Sequence, residues 1–246
     1  MKEGIGNHFH SETKYFREPY SPGDIERQHK IEQLKEKAVD KVISLPQPDR
    51  ESGQPLWKVI NKRRSVREFI KKPIPLSALS QILWAAQGIS LKVSEFYLRT
   101  TPSAGALYPI ETYLSVQAVE DLSPGIYHFI PQSQGLRMKY EGDFSQVLAD
   151  AALNQDFLAE SSCVLLWTAV FERTKWKYGE RGFRYIYLDA GHIAQNAALA
   201  AVSLGLGSCP VAAFFDDEIN MLFGINPAKE AIVYMEAIGW PKQSGR

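Results

Sequence analysis

The chain has almost no cysteine, no net charge and no long apolar run, and each shortage excludes something. Cys163 and Cys209 are its only cysteines and form no CxxC pair, which excludes a disulfide framework and a cysteine zinc site. Lys+Arg and Asp+Glu both number 28. Proteins that bind nucleic acid usually carry a basic excess or a basic face, so no nucleic-acid partner is expected. The most apolar stretch, around 185–207, is interrupted by Asp189, His192, Gln195 and Asn196, too polar for a membrane span. Met1 to Gly6 lacks the apolar run of a signal peptide. These readings lead to a soluble cytoplasmic protein with no membrane partner. His8-x-His10 and a lone His192 are too few ligands for a metal site, and no metal is expected. Internal repeats and low-complexity tracts are also missing.

What is present suffices for one large domain with an arm: 246 residues, 45% of them hydrophobic. Residues 1–50 read as the arm and linker, and 51–246 as the domain. In the arm, Ser21-Pro22-Gly23-Asp24 is a turn and helix start. Ile31, Leu34, Ala38 and Val42 then fall at helical spacing, and Ser44 to Pro48 acts as a linker. In the domain, Leu56, Val59 and Ile60 predict a short helix. Ser77 is placed to cap a second helix that stops at Gly88. Strands are expected over 111–118, 125–130, 136–140, 163–171, 206–214 and 231–239. Helices are expected over 143–160, from about Arg184 to Leu204, and over 216–223. The irregular mixture of strands and helices favours an α+β fold over a doubly wound sheet.

Four segments carry chemistry. In the first, Arg63, Arg64, Ser65 and Arg67 place three guanidinium groups and a hydroxyl within five positions. Planar arginine donors match a phosphate in bidentate fashion, and a helix over 57–64 would set Arg63 and Arg67 about one turn apart. The plainer reading is a solvated helix end. In the second, Pro102-Ser103-Ala104-Gly105 is small enough for backbone to approach a flat ligand, with Ser103 as a donor. In the third, Gly205 can end the long helix, and Pro210-Val211-Ala212-Ala213 would turn backbone amides toward a ring. The third segment lacks Gly-x-Gly-x-x-Gly and does not join a strand to a helix, which excludes a Rossmann phosphate loop. In the fourth, Lys242 follows Gly239-Trp240-Pro241 and could reach the same phosphate.

In this order, the four segments resemble the nitroreductase superfamily of FMN oxidoreductases over roughly residues 55–242. The nearest branch is the SagB-type dehydrogenases, through Pro102 to Pro109 and through Lys177-Tyr178-Gly179-Glu180-Arg181-Gly182 leading to Asp189 and His192. The resemblance implies a dimeric α+β sandwich, its central, mostly antiparallel sheet flanked by helices, with FMN in the dimer interface. Arg63, Arg64, Ser65 and Arg67, with Lys242, would hold the FMN phosphate and ribityl chain. Pro102, Ser103, Ala104 and Gly105 would touch the flavin from the other subunit. Pro210, Val211, Ala212 and Ala213 would line one ring face. Many relatives carry Glu-Gly where Ala212-Ala213 stands here, a change that bears on substrate preference. The resemblance assigns Lys177 and Tyr178 a catalytic role, against a plainer reading as a charged, aromatic helix face. The implied activity is hydride transfer between flavin and NAD(P)H or a small organic substrate. The alternatives are azoline dehydrogenation of a peptide, or a flavin-binding subunit without catalysis.

Overall fold

A computed structural model describes residues 4–17, 31–35 and 38–242. The expected turn at Ser21 to Asp24 lies outside them. The described elements run α1 (Ile5–Glu12), β1 (Ala38–Ser44), α2 (Leu56–Lys62), β2 (Phe69–Ile70), α3 (Leu76–Gln87), β3 (Ile89–Val93) and β4 (Phe96–Arg99). They continue β5 (Ile110–Val116), β6 (Gly125–Ile130), β7 (Gly135–Glu141), α4 (Ser145–Ala151), α5 (Phe157–Glu160), β8 (Cys163–Ala169) and α6 (Glu172–Tyr178). The last four are α7 (Gly182–Ser203), β9 (Gly207–Val211), α8 (Asp216–Leu222) and β10 (Ala231–Pro241).

The main sheet runs β1-β7-β6-β5-β8-β10-β2, with β9 also paired to β10. Every ladder between these strands is antiparallel. Strand β8 lies between β5 and β10 and is buried from end to end. Its alternation feeds two cores. Leu165 and Trp167 join the core under α3 and α7, while Val164 and Leu166 join the one under α4 and α8. Both faces are covered by helices, as expected of an α+β sandwich.

Helix α7 presents Ile186, Ala190, Ile193, Ala197 and Ala201 to the first core at three- and four-residue steps. The small alanines let α3 pack closely along it. The helix ends as the sequence predicts. Gly205 takes φ +78°, its amide donates to Val202 O at 3.1 Å, and the Leu206 amide donates to Ala201 O at 2.9 Å. This reciprocal closure satisfies two end carbonyls and aims the chain into β9.

Four sequence expectations are corrected. The helical spacing from Ile31 holds only over 31–35, because 38–44 forms an edge strand on β7. Val39, Val42 and Ile43 are β-branched and suit a strand, and Val39 and Ile43 pack on the core. The single helix over 143–160 is two helices, interrupted by Leu153 and Asn154 at φ +59° and +58°. Ser77 lies inside α3, whose first turn follows Pro75 with no side-chain cap. Finally, α2 ends at Lys62 and Arg63 is already extended. The β3–β4 hairpin and α1 are further elements, not predicted above. No helix among the described residues is long and apolar enough to cross a membrane.

Ile186 is fully buried between α7 and the sheet. The Ile186→Ala variant should lose about 3 kcal/mol of unfolding free energy, measured by urea denaturation. A loss under 1 kcal/mol would contradict this packing.

Candidate functional site

The arginine cluster sits beside β9. Ser65 bridges Ser208 in parallel, and the Val66 amide donates to Ser208 O at 2.8 Å. This close approach needs Gly207, where a Cβ would meet Val66 at 2.9 Å. In extended chain, alternate residues share a side, which groups Arg63 with Ser65 and Arg67 in place of the helical turn expected above. Arg64 folds back and donates to Asn61 O at 2.9 Å and Arg63 O at 2.7 Å. None of the three arginines has a carboxylate partner among the described residues. The Lys242 amide donates to Glu68 O at 2.9 Å, which brings the C-terminal lysine to the same edge.

Strand β9 carries the third segment. Pro210 lies opposite Glu236 of β10 and is tolerated because β9 is an edge strand. Beyond β9, Ala213 O accepts from Gln155 Nε2 at 2.8 Å. The amides of Ala212 and Ala213 donate to no group among the described residues. Guanidinium groups without an ion pair at the start of β9, and amides without acceptors at its end, are donors of the kind that suit an anion.

The second segment stands apart, anchored to the middle of α7. Ser103 donates to Asp189 Oδ2 at 2.5 Å and accepts from the Tyr108 amide at 3.0 Å. Its hydroxyl proton is therefore committed to the fold. Burial raises the Asp189 pKa, opposed by the Ser103 and Ala104 hydrogen bonds. Gly105, Ala106 and Tyr108 all have positive φ, a density of strain typical of functional loops. At Gly105 an added Cβ would lie 2.7 Å from Tyr178 Oη and 2.9 Å from Lys177 Nζ. The fold thus brings Lys177 and Tyr178 together over the loop backbone. Tyr178 is half-buried and packs edge-on to Tyr185, ring centroids 5.0 Å apart; Lys177 is exposed. Of the polar stripe on α7, Asn196 ties to Ala85 O at 3.0 Å, while His192 and Gln195 stay exposed.

Glu236 escaped the sequence reading. It is fully buried on the α7 side of β10. Among the described residues neither carboxyl oxygen has a hydrogen-bond partner in good geometry, nor does the buried Ser208 hydroxyl nearby. Burial pushes the Glu236 pKa up to about 8, against the pull of Ser208 and Arg63 toward the charged form. The one signal for it was a single acid inside the apolar run Ile232 to Ile238.

An unfolded chain ionises this carboxyl near its ordinary value of 4.5. The folded chain holds the proton longer, so stability falls as pH rises from about 4.5 toward 8 and then levels. Glu236→Gln should remove that slope and melt several degrees higher than the parent at pH 8.5, with a small difference at pH 5.5. The same offset at both pH values would contradict a protonated, buried Glu236.

Comparison with known proteins bears on this arrangement. The family model described as "Nitroreductase family" matches residues 60–240. The protein named nitroreductase MJ1384 of Methanocaldococcus jannaschii is 44% identical over 167 residues, spanning 68% of this chain and 83% of that protein. The microcin B17-processing protein McbC of Escherichia coli is 27% identical over 146 residues, 57% of this chain and 54% of that protein. A nitroreductase structure from Anabaena variabilis superposes with a TM-score of 0.72 at 30% identity; it covers 82% of this chain, which spans 42% of that longer protein. A nitroreductase from Desulfovibrio desulfuricans in complex with FMN has the same fold, with a TM-score of 0.55 at 19% identity, covering 79% of this chain and 92% of that one. Fold, segment order and sequence match agree, and the chain belongs to the nitroreductase family.

Proposed function

We propose that this chain is an FMN-dependent oxidoreductase that works as a homodimer. The observation that carries the reading is the row Arg63, Ser65 and Arg67, free of acidic partners, beside the unpaired amides of Ala212 and Ala213. The donor set fits a flavin mononucleotide. Arg63, Ser65 and Arg67, with Lys242, would hold the phosphate; Pro210 to Ala213 would face the ring. Bound FMN would supply a two-electron acceptor and donor. Lys177, Tyr178 and Pro102 to Gly105 form a second half-site on α6 and the loop before β5. In a dimer, the second half of one subunit would complete the first half of the other.

Two chemistries use such a site. In one, NAD(P)H supplies the hydride and a small organic acceptor receives it. In the other, a peptide azoline loses a hydride and a neighbouring proton. The convergence of Lys177 Nζ and Tyr178 Oη at Gly105 favours the second chemistry, because a base and a proton relay are what that reaction requires. Similarity to McbC, a protein named for processing a microcin, supports it, and with it a place in the SagB-type branch.

The purified protein, reconstituted with FMN, should show a flavin absorption spectrum. Bleaching by anaerobic NADH or NADPH would mark the first chemistry, and bleaching by a thiazoline peptide the second. Lys177→Met and Tyr178→Phe should each slow thiazoline-driven bleaching about 100-fold while FMN still binds. Unchanged rates would remove both residues from the mechanism, and failure to retain FMN would defeat the whole reading.

A further inference from the structure

A cavity of about 590 Å³ is lined in part by Ala106 to Tyr108, the residues just after Gly105. The β3–β4 hairpin, the stretch Ala106 to Tyr108, the β5 and β6 residues Glu111 and His128, and Arg173 of α6 surround it. Its charges are arranged by buried neutral groups. Gln87, 1% exposed, donates to Ile110 O at 3.1 Å and Thr112 Oγ1 at 2.9 Å. That fixes its carbonyl oxygen as an acceptor for Arg99 Nη1. The Arg99 guanidinium also lies 4.8 Å from the Tyr108 ring centroid.

Arg99 is half-buried, yet it has no carboxylate partner among the described residues. Only Nη1 is engaged, on Gln87 and, at 3.5 Å, on Ile110 O; Nε and Nη2 make no hydrogen bond there. Of the two acids that line the cavity, the inner one is already engaged. Glu111 takes His128 Nε2 at 2.9 Å and an Arg173 nitrogen. Glu95 stands exposed at the hairpin tip, where water screens it. With Glu95 out in water and Glu111 shared by His128 and Arg173 and felt through space by Arg99, the free donors of Arg99 are left for one carboxylate more than for a phosphate dianion. The hairpin adds apolar surface, with Phe96 74% and Leu98 37% exposed.

We propose that this cavity is a carboxylate-recognition subsite. It would hold the anionic end of an organic acid on Arg99 and Arg173, with the acid's apolar part against Phe96 and Leu98. The acid is either a small free acid or the C-terminus of a peptide. Arg173 lies one turn before Lys177 on α6, and Tyr108 is three residues from Gly105. An acid held here would therefore extend toward Lys177 and Tyr178. That last link rests on the oxidoreductase reading; carboxylate binding itself does not.

The test is calorimetric titration of the folded, flavin-free protein with two pairs of probes. One pair is 4-phenylbutanoate and 4-phenylbutanamide; the other is N-acetyl-Leu-Phe as free acid and as C-terminal amide. At least one acid should bind about tenfold more tightly than its amide, and the pair that does so identifies the source. Arg173→Met and Phe96→Ser, both at exposed positions, should weaken the acid several-fold. Arg99→Met should abolish the preference for acid over amide, and Arg99→Lys should restore part of it. If Arg99→Met does not fold, the Arg173 and Phe96 variants decide. Equal binding of acid and amide, no binding of any probe, displacement by inorganic phosphate at lower concentration than by the acids, or a preference that survives these substitutions would each overturn the proposal. Because no flavin is present, failure here is distinct from failure of the FMN reading.

Discussion

Strand β10 is the constraint on which the rest depends. It pairs with β8 through the centre of the sheet, with β9 over 207–211, and at its end with β2. One strand therefore sets the height of the edge that carries Arg63 to Arg67, the position of the free amides after β9, and the place where Lys242 leaves the sheet. The closure at Gly205 delivers β9 into that ladder with no slack between it and α7. A slip of one residue in the β9–β10 register would turn Pro210 and Ser208 to the opposite face. The buried side of β10 carries Glu236, whose desolvated carboxyl stands close behind Arg63. The edge proposed to bind an anion is thus backed by a group whose raised pKa favours its neutral form.

The loop at Pro102 to Gly105 depends on α7 in another way. Asp189 captures Ser103 and so fixes a loop of left-handed residues at the middle of the helix. Gly105 can then pass beneath Lys177 and Tyr178. The arginine-bearing edge lies beyond the C-terminal end of α7.

Much of the fold was legible because the signals were local. The apolar run at 163–171 marked the central strand, the long alanine-rich stretch marked α7, and Gly205 marked its end. Signals that depend on a distant partner were misread. Residues 38–44 have the right residues for a strand, but helical spacing with Ile31 hid them until β7 supplied the pairing. A helix over 57–64 would have set Arg63 and Arg67 one turn apart; only the bridge to Ser208 shows why the backbone is already extended at Arg63. Ser103 looked like a donor for a ligand, while its proton goes to Asp189, 86 positions away. The hairpin at 89–99 had its alternation and its Ser94-Glu95 turn in plain sight. The Arg99–Gln87 and Glu111–Arg173 contacts had no signal at all, since each joins residues from separate elements.

The central claim is that Arg63, Ser65 and Arg67 form a phosphate site. Comparing the binding of FMN with that of riboflavin, which lacks the phosphate, tests it most directly. The measurement is flavin fluorescence quenching with the parent protein and an Arg63→Ala/Arg67→Ala variant. The account predicts that the parent prefers FMN by about 100-fold or more and that the variant binds the two flavins alike. Equal affinity in the parent, or a preference untouched in the variant, would contradict it.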